Sequence, residues 1–309
     1  MNRDSVLVVG SSNMDMVLAT ENFPKPGETI FAKKFQMFPG GKGANQAVGV
    51  AKLCIKTNFI TKMGNDEFRE KLTANISAAG VDVNDIIIDK VESTGIALIT
   101  VNSSGENQIM VVSGSNMRLT PDEIETKKDL FGKAKILLVQ LEVPLDAIIK
   151  TVSLAKENEM IVILNPAPAK YLPEDLLGKI DYLTPNETEL EILSGNPAHD
   201  EESIIEAAKN LISKGVKNVI VTVGAKGAML VNNERTKIFP GKKVKAVDTT
   251  AAGDAFNAGL AYGLFHDYTL DESITLANIV AALAVTKMGA QTSMPTNAEV
   301  MNIINQINL

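Results

Sequence analysis

Uninterrupted apolar runs alternate with segments of helical spacing over the second half of the chain. KILLVQL at 135–141, MIVILNP at 160–166 and NVIVTVG at 218–224 are predicted strands, and 144–158 and 202–215 between them have the apolar spacing of helices. Strands without polar alternation are typical of a parallel sheet that is covered on both faces. The pattern therefore predicts a mostly parallel sheet within one α/β domain spanning 1–309.

The first half adds a different kind of strand. SVLVVG at 5–10 and NFITKMG at 58–64 fit the same sheet, on either side of a helix at about 44–54. Segments 14–20, 29–38, 94–102 and 107–113 alternate in polarity or lie between turn signals such as FPKPGE and NSSGEN. We predict that they form a small antiparallel sheet, inserted in two pieces at about 14–38 and 93–113, that serves as a lid or a dimer surface. An edge extension of the main sheet is the alternative.

Helical patterns dominate the last third of the chain, at 252–267, 271–287 and 296–307. Two segments, Thr120–Glu123 and Thr296–Glu299, have the sequence of a capping box, in which a Thr and a Glu three residues later satisfy the first N–H groups of a helix. Pro121 suits the first helical position, where its missing N–H costs nothing.

Composition and charge narrow the classes of function. The net charge of −7 and the lack of a basic run disfavour a nucleic-acid or membrane partner. No window approaches 18 uninterrupted apolar residues and no signal peptide is evident, so we expect a cytoplasmic protein. One cysteine and two histidines argue against a Cys/His zinc site. Cys54, in an apolar helical pattern, is expected to lie in the core.

The stretch AVDTTAAGDAFNAG at 246–259 is the first candidate for chemistry. Asp248 follows a short strand, and 251–253 open a helix whose first N–H groups have no partner within the helix. Small side chains let an anion approach these donors, and a phosphate is the natural ligand. Asp254 in the first turn could then accept the proton of an attacking hydroxyl. Simple helix capping by the two aspartates is the alternative.

Two glycine-containing turns near the N-terminus suggest a site for a polar ligand. PGGKGANQA at 39–47 leads into a helix, so we predict free backbone donors there, and Asn45 can both donate and accept, as a polyhydroxyl ligand requires. Asn13 and Asp15 follow the first strand and alternate, so that both can face one side. Ligands of open parallel sheets bind at this carboxyl end. A tight turn and an Asx-turn are the respective alternatives.

Polar groups follow other predicted strands as well. Glu142, Asn186, Glu189 and the loop 222–227 bring the number of strands with polar groups at the carboxyl end to at least five, which packing alone does not require. The sequence contains no Walker-type phosphate loop, no G-x-G-x-x-G after the first strand and no G-x-S-x-G elbow. A nicotinamide dehydrogenase is therefore poorly supported.

Together these stretches resemble the PfkB family of carbohydrate kinases, also called the ribokinase family, over nearly the whole chain. The matching segments are GSSNMD at 10–15, GGKGANQAV at 40–48, STGIALITVN at 93–102, QLEVPL at 140–145, LNPAPA at 164–169, TPNETE at 184–189, AVDTTAAGD at 246–254 and KMGAQTSMP at 287–295. The resemblance implies a ribokinase-like α/β fold with a β-sheet lid that often pairs with the lid of another subunit. It implies transfer of the γ-phosphoryl group of ATP to the 5-hydroxyl of D-ribose, with Mg²⁺ and K⁺.

The resemblance also assigns roles to residues. It implies that Asp254 is the base and that the N–H groups of Ala251, Ala252 and Gly253 form the anion hole. The implied sugar-binding positions are Asn13, Met14, Asp15, Gly41, Lys42, Gly43, Ala44, Asn45, Glu142 and Asp254. The implied nucleotide-binding positions, with Glu189 associated with Mg²⁺ and phosphate, are Asn186, Glu189, Thr222, Val223, Gly224, Ala225, Lys226, Gly227, Gly253 and Asn278. The implied monovalent-cation site, formed mostly by backbone carbonyls, comprises Asp248, Thr250, Ala284, Lys287, Gly289 and Ser293.

Two positions depart from the broader family pattern. The signature Gly-Ala-Gly-Asp reads Ala-Ala-Gly-Asp here, and because the Ala251 methyl is small we expect the anion hole to survive. Asn278 replaces a ring that could stack on adenine. A kinase of the same fold for 2-deoxyribose, fructose or a nucleoside is the alternative function, and a non-catalytic sugar sensor is another. The Asn-x-Asp at 13–15 favours a sugar with vicinal hydroxyls.

Overall fold

Three sheets and ten α-helices account for the regular structure of residues 3–307, the part of the chain that the computed structural model describes. The strands are β1 (Ser5–Val9), β2 (Asn13–Ala19), β3 (Lys34–Gly40), β4 (Thr57–Ile60), β5 (Lys62–Gly64), β6 (Val81–Asp82), β7 (Ile87–Asp89), β8 (Gly95–Val101), β9 (Asn107–Val112), β10 (Ala134–Gln140), β11 (Ile161–Asn165), β12 (Tyr182–Leu183), β13 (Asn218–Thr222), β14 (Gly227–Asn232) and β15 (Thr236–Pro240). The helices are α1 (Lys42–Lys52), α2 (Glu67–Ala78), α3 (Pro121–Glu125), α4 (Leu145–Glu157), α5 (Glu174–Leu177), α6 (Glu187–Ser194), α7 (Glu201–Ser213), α8 (Ala252–Phe265), α9 (Leu270–Ala284) and α10 (Asn297–Ile307).

The main sheet has nine strands in the order β15-β14-β13-β12-β11-β10-β1-β4-β6. It is parallel from β13 to β6, and β14 and β15 add an antiparallel edge. The chain proceeds from β1 toward one edge and from β10 toward the other, so that the strand order reverses between these two neighbours. In open α/β sheets such a reversal leaves a crevice at the carboxyl ends of the strands, and ligands bind there.

Apolar side chains of the central strands point alternately into two cores. Val6 and Val8 of β1 face the core formed with α1, α2, α8, α9 and α10, whereas Leu7 and Val9 face the core formed with α3 to α7. A side chain at Gly49 of α1 would lie 2.7 Å from Cβ of Ala258, so glycine allows α1 and α8 to pack closely. The predicted α/β sheet with helices on both faces is confirmed.

A separate four-stranded sheet, which we call the second sheet, has the order β3-β2-β8-β9. It consists of the two predicted insertions and is not an extension of the main sheet. The β2–β3 and β8–β9 pairs are antiparallel, as expected, but β2 and β8, one from each insertion, pair in parallel. At the base of this sheet Asn13 pairs with both Gly40 and Gly95.

Several local predictions need correction. The apolar run 58–64 splits into β4 and β5, and β5 pairs with β7 in a two-stranded sheet of its own. Cys54 was expected in the core but is exposed, because α1 ends before it and the chain leaves the helix through a left-handed residue at φ 65°. The capping boxes at Thr120 and Thr296 are confirmed, with Pro121 in the first helical position. No helix within 3–307 combines the length and hydropathy needed to cross a membrane.

Candidate active site

Asp254 lies in the first turn of α8 and is buried, with 5% of its surface exposed. Its Oδ2 accepts a hydrogen bond from Asn45 Nδ2 at 2.9 Å, and its Oδ1 accepts one from Gln46 Nε2 at 3.0 Å. Gln46 Oε1 in turn accepts a bond of 2.6 Å from Gln140 Nε2 at the end of β10. Asn45 and Gln46, which are adjacent in α1, thus hold the carboxylate. Gln46 is itself held by Gln140 of the main sheet.

The start of α8 presents open backbone donors. Among the described residues, the N–H groups of Ala251 and Gly253 have no hydrogen-bond acceptor, whereas the N–H of Ala252 donates to Thr249 O at 3.3 Å. A side chain added at Gly253 would meet no atom within 4 Å, so the space in front of these donors is open. These donors at the positive end of a helix fit a phosphate.

Ala251 adopts a left-handed conformation, with φ at 61°. This region costs a residue with a Cβ roughly 1–2 kcal/mol, whereas glycine enters it freely. The conformation explains why the broader family signature has glycine at this position. The helix start keeps its geometry with alanine, at an energetic cost that the surrounding structure offsets.

A cleft of about 230 Å³ lies in front of these donors. It brings together side chains that are far apart in the sequence, from the sugar-binding, nucleotide-binding and catalytic sets. Its lining residues are Lys42, Asn165, Ala167, Thr184, Asn186, Glu189, Thr222, Thr249, Ala251, Ala252, Gly253, Asp254 and Asn257.

The glycine turn before α1 offers fewer free donors than its sequence predicts. The N–H of Lys42 bonds Glu142 Oε2 at 3.1 Å, and the N–H groups of Gly43 and Ala44 bond Oγ and O of Ser11 at 3.4 and 2.9 Å. The prediction of free donors is therefore wrong for the N–H groups of 42–44, whereas the N–H of Gly41 has no acceptor among the described residues. A Cβ at Gly43 would lie 2.6 Å from Ser11 N, so glycine is required for close approach to the end of β1. Glu142 acts here as the acceptor at the start of α1.

Asn13 and Asp15 stand on the same side of β2. Burial and the nearby carboxylates of Glu142 and Asp254 raise the pKa of Asp15 to about 7. Asn45 Oδ1 is buried without a hydrogen-bond partner among the described residues, which fits a hydroxyl donor of a ligand. The side chain of Met14 belongs to the apolar core, so only its backbone is available to a sugar.

Lys42 is the cation among the carboxylates of the cleft. Burial opposes its charge, but the carboxylates of Asp254 and Glu142, followed by Glu189 and Asp15, raise the pKa of Lys42 above its ordinary value. Burial also raises the pKa of Glu189, against the lowering effect of the N–H of Asn186 and the charge of Lys42. The site has an excess of negative charge, which opposes the entry of a phosphate.

Several residues that are predicted to bind the nucleotide also make structural contacts within the protein. Asn186 and Glu189 form a capping box on α6, with bonds of 2.8 and 2.9 Å between side chains and backbone N–H groups. Thr222 pairs with Asn186 at the sheet edge, which joins two of the predicted segments. Residues 224–226 are exposed at the rim, and Gly227 is buried. Asn278 donates to Phe239 O at 3.0 Å, so its Nδ2 holds β15 and its nucleotide contact remains a prediction.

The predicted cation-binding segments lie against each other. Asp248 Oδ1 accepts from the N–H of Thr250 and its Oδ2 from the N–H of Gly289, both at 2.9 Å. Although burial opposes it, these bonds lower the pKa of Asp248. The side chain of Lys287 bonds Glu299 at 2.6 Å, so Lys287 can offer a cation only its backbone carbonyl. Ala284 and Ser293 are buried close by in sequence.

Sequence reasoning missed several residues that line the cleft or contact Asp254. Gln46 is next to a residue that was identified, and Asn165 ends the predicted strand 160–166, so its position was a usable signal. Asn257 lies one helical turn after Gly253 and donates to its carbonyl oxygen at 2.8 Å. Thr184 donates to Asn257 Oδ1 at 2.7 Å, a contact across 73 residues that no local pattern indicates.

Comparison with known proteins agrees with this geometry. The pfkB family carbohydrate kinase pattern matches residues 3–297. The ribokinase of Haemophilus influenzae is 40% identical, over 98% of this chain and 99% of that protein. The deoxyribokinase of Salmonella typhi is 38% identical, over 94% and 95%. The structure of Arabidopsis thaliana ribokinase complexed with ribose and ATP superposes with a TM-score of 0.93 at 34% identity, covering 98% and 99%. The chain belongs to the PfkB family of carbohydrate kinases.

Proposed function

We propose that this protein transfers the γ-phosphoryl group of ATP to the 5-hydroxyl of D-ribose, giving ribose 5-phosphate and ADP. The observation that carries the proposal is the pairing of a fixed carboxylate with open backbone donors at one helix start. Asp254 follows directly on Gly253, and both line the same cleft. The similarity to ribokinases over nearly the whole chain supports ribose as the substrate.

Asp254 accepts the proton of the attacking hydroxyl in this proposal. Asn45 and Gln46 hold one oxygen each, which aims the carboxylate without occupying all its lone pairs. A positioned base is most effective when it lies within hydrogen-bonding distance of the proton it takes. The attacking hydroxyl of the sugar therefore has to sit between the Asp254 carboxylate and a phosphoryl group held at the start of α8.

The N–H groups of 251–253 stabilise the charge on the transferring group. Phosphoryl transfer requires mainly positioning and charge stabilisation, and one well-aimed donor contributes roughly 2.7–4 kcal/mol. Lys42 adds a positive charge on the sugar side of the cleft. Glu189, a carboxylate that lines the cleft, would hold Mg²⁺, and the ion would neutralise part of the charge of the phosphates.

Asn13, Asp15 and Asn45 are proposed to hold the sugar. Asn45 offers a buried acceptor, while Asp15, with its pKa near 7, can accept or donate at neutral pH. Such groups lose their partners when a hydroxyl is removed from the ligand, so a deoxy sugar should bind poorly. The similarity to a deoxyribokinase makes 2-deoxyribose the second candidate substrate.

The second sheet is proposed as a lid that also pairs with a second copy of the chain. Ile109, Met110, Val111 and Val112 of its edge strand β9 are each more than half exposed. An apolar edge strand of this kind is a ready surface for association, and patches of exposed apolar residues mark interaction sites. A homodimer would cover this surface.

Asp254→Asn should lower turnover by about 100-fold or more, because the base is lost while the size of the side chain is kept. The KM values for ATP and ribose should change little. Steady-state kinetics by coupled ADP release measures both. Asp267→Asn, which removes a charge beyond the other end of α8, is the matched control and should be fully active. Turnover of Asp254→Asn close to that of the unchanged protein would exclude Asp254 as the base.

A panel of ribose, 2-deoxyribose, fructose and adenosine with Mg-ATP tests the substrate. We expect kcat/KM for ribose to exceed that for 2-deoxyribose by at least about tenfold, since buried polar groups lose a partner. Equal or higher efficiency with 2-deoxyribose would assign the protein to the second candidate. Absence of ADP release with every sugar would contradict a kinase and favour a sugar sensor.

K⁺ should raise turnover relative to Na⁺ or tetramethylammonium at equal ionic strength, if the 248–250 and 284–293 segments bind a monovalent cation. Asp248→Asn should weaken this dependence, because the carboxylate ties the two segments together. Coupled kinetics across a K⁺ titration provides the measurement. Activity that does not depend on the cation would show that these segments have been misassigned.

Ile109→Lys should shift the protein from dimer to monomer, because a charge on β9 opposes burial of the sheet edge. Light scattering after gel filtration measures the mass. Ile192→Lys on α6 is the matched control, since Ile109 and Ile192 are both 54% exposed. A monomeric unchanged protein, or equal effects of the two substitutions, would contradict association through the second sheet.

A further inference from the structure

Asn116 lies in a short 3₁₀ turn, Gly114–Arg118, at the point where the chain returns from β9 to the main domain. Asn116 is 2% exposed. It belongs to none of the sequence motifs of the candidate site and lies far from them along the chain. Its side chain nevertheless reaches the segment after β1. Three hydrogen bonds join it to Ser12 and Asn13.

The orientation of the Asn116 amide follows from the backbone of Ser12. The N–H of Ser12 can only donate, so the atom 3.0 Å from it has to be Asn116 Oδ1. Asn116 Nδ2 then faces the opposite way and donates to Ser12 O at 3.2 Å and to Asn13 Oδ1 at 2.7 Å. Both hydrogens of Nδ2 are used, and a flipped amide would lose all three bonds.

The orientation of Asn13 follows in the same way. Because Asn116 offers it a donor, Asn13 has to present Oδ1, and its own Nδ2 is turned elsewhere. Among the described residues Asn13 Nδ2 has no acceptor, and it is not among the fully buried unpartnered atoms. The amide of Asn13 is therefore set with its Nδ2 as a donor that has no protein acceptor.

Glycine at position 95 makes this contact possible. Gly95 pairs with Asn13 across β2 and β8, and a Cβ at Gly95 would overlap both Asn13 Oδ1 and Asn116 Nδ2. The close packing fixes the positions of the two amide groups, and the hydrogen bonds of Asn116 then set their orientation. Gly95, at the start of β8, and Asn116, after the end of β9, thus both help to fix the side chain of Asn13.

We propose that Asn116 is a positioning residue for sugar recognition, which holds the Asn13 amide so that its Nδ2 donates to a hydroxyl oxygen of the sugar. The inference rests on the proposed sugar-kinase function. Asn116 acts through Asn13 and touches neither substrate. Its effect should therefore appear in the recognition of the sugar and not in that of ATP.

Kinetics of Asn116→Ala test the proposal. We expect KM for ribose to rise about fivefold to tenfold, the usual effect of losing one hydrogen bond, with KM for ATP within about twofold. In an Asn13→Ala background the same substitution should have no further effect on KM for ribose. Asn232→Ala is the matched control, because Asn232 also accepts backbone N–H groups with Oδ1 and donates to another asparagine at 2.9 Å. Additive effects, or equal changes in both KM values, would overturn the proposal.

A second variant tests the orientation without any sugar. Asn116→Asp keeps the shape but offers Asn13 only an acceptor, so the Asn13 amide has to turn and donate to the carboxylate. The side-chain NH₂ signals of Asn13, identified by their loss in Asn13→Ala, should then shift downfield in a nitrogen-15 spectrum of the free protein. Unchanged signals would refute the assigned orientation even if the protein phosphorylates no ribose. Ribose turnover by the unchanged protein reports separately on the proposed function.

Discussion

The carboxylate of Asp254 is held where two helices begin, and the arrangement of the cleft depends on that junction. Its two oxygens accept from neighbouring amides of α1, while the backbone that precedes it opens α8. The junction requires α1 and α8 to approach closely, which glycine at 49 permits. Both helices also pack on the strands around the β1–β10 reversal. The packing of α1 against α8 therefore determines where the Asp254 carboxylate lies.

Charge in the cleft explains why so much of it consists of neutral donors. Asp15, Glu142, Glu189 and Asp254 surround Lys42, and the resulting field favours cations over phosphates. Side-chain amides and backbone N–H groups bind oxygen atoms without adding a net charge. Because they are fixed in place, they need little reorganisation when charge develops during a reaction. The pKa of Asp15 is raised because the side chain is buried and lies near other carboxylates.

The fold was largely predictable because its signals are local. Apolar runs, helical spacing and capping boxes identified the main sheet, most helices and both insertions. The polar ends of the strands located the site, since the carboxyl ends of parallel strands share one edge. Prediction failed where a distant residue decides the outcome. Glu142, 100 positions away, occupies a donor that the glycine turn was expected to leave free. The parallel pairing of β2 with β8, and the use of Gln46 and Asn116, likewise depend on contacts that no local pattern contains.

The second sheet joins the main domain at Asn13, which we call the root of this sheet. Asn13, its first residue, pairs with Gly40 and Gly95, while the far end of β2 pairs with Lys34 and Val101. A strand is stiff along its length, so rotation of the distal tip is transmitted to the root as a smaller displacement. The root is also the wall against which a sugar would rest. In the proposed lid, a change in the angle of the tip would therefore also change the geometry of this wall.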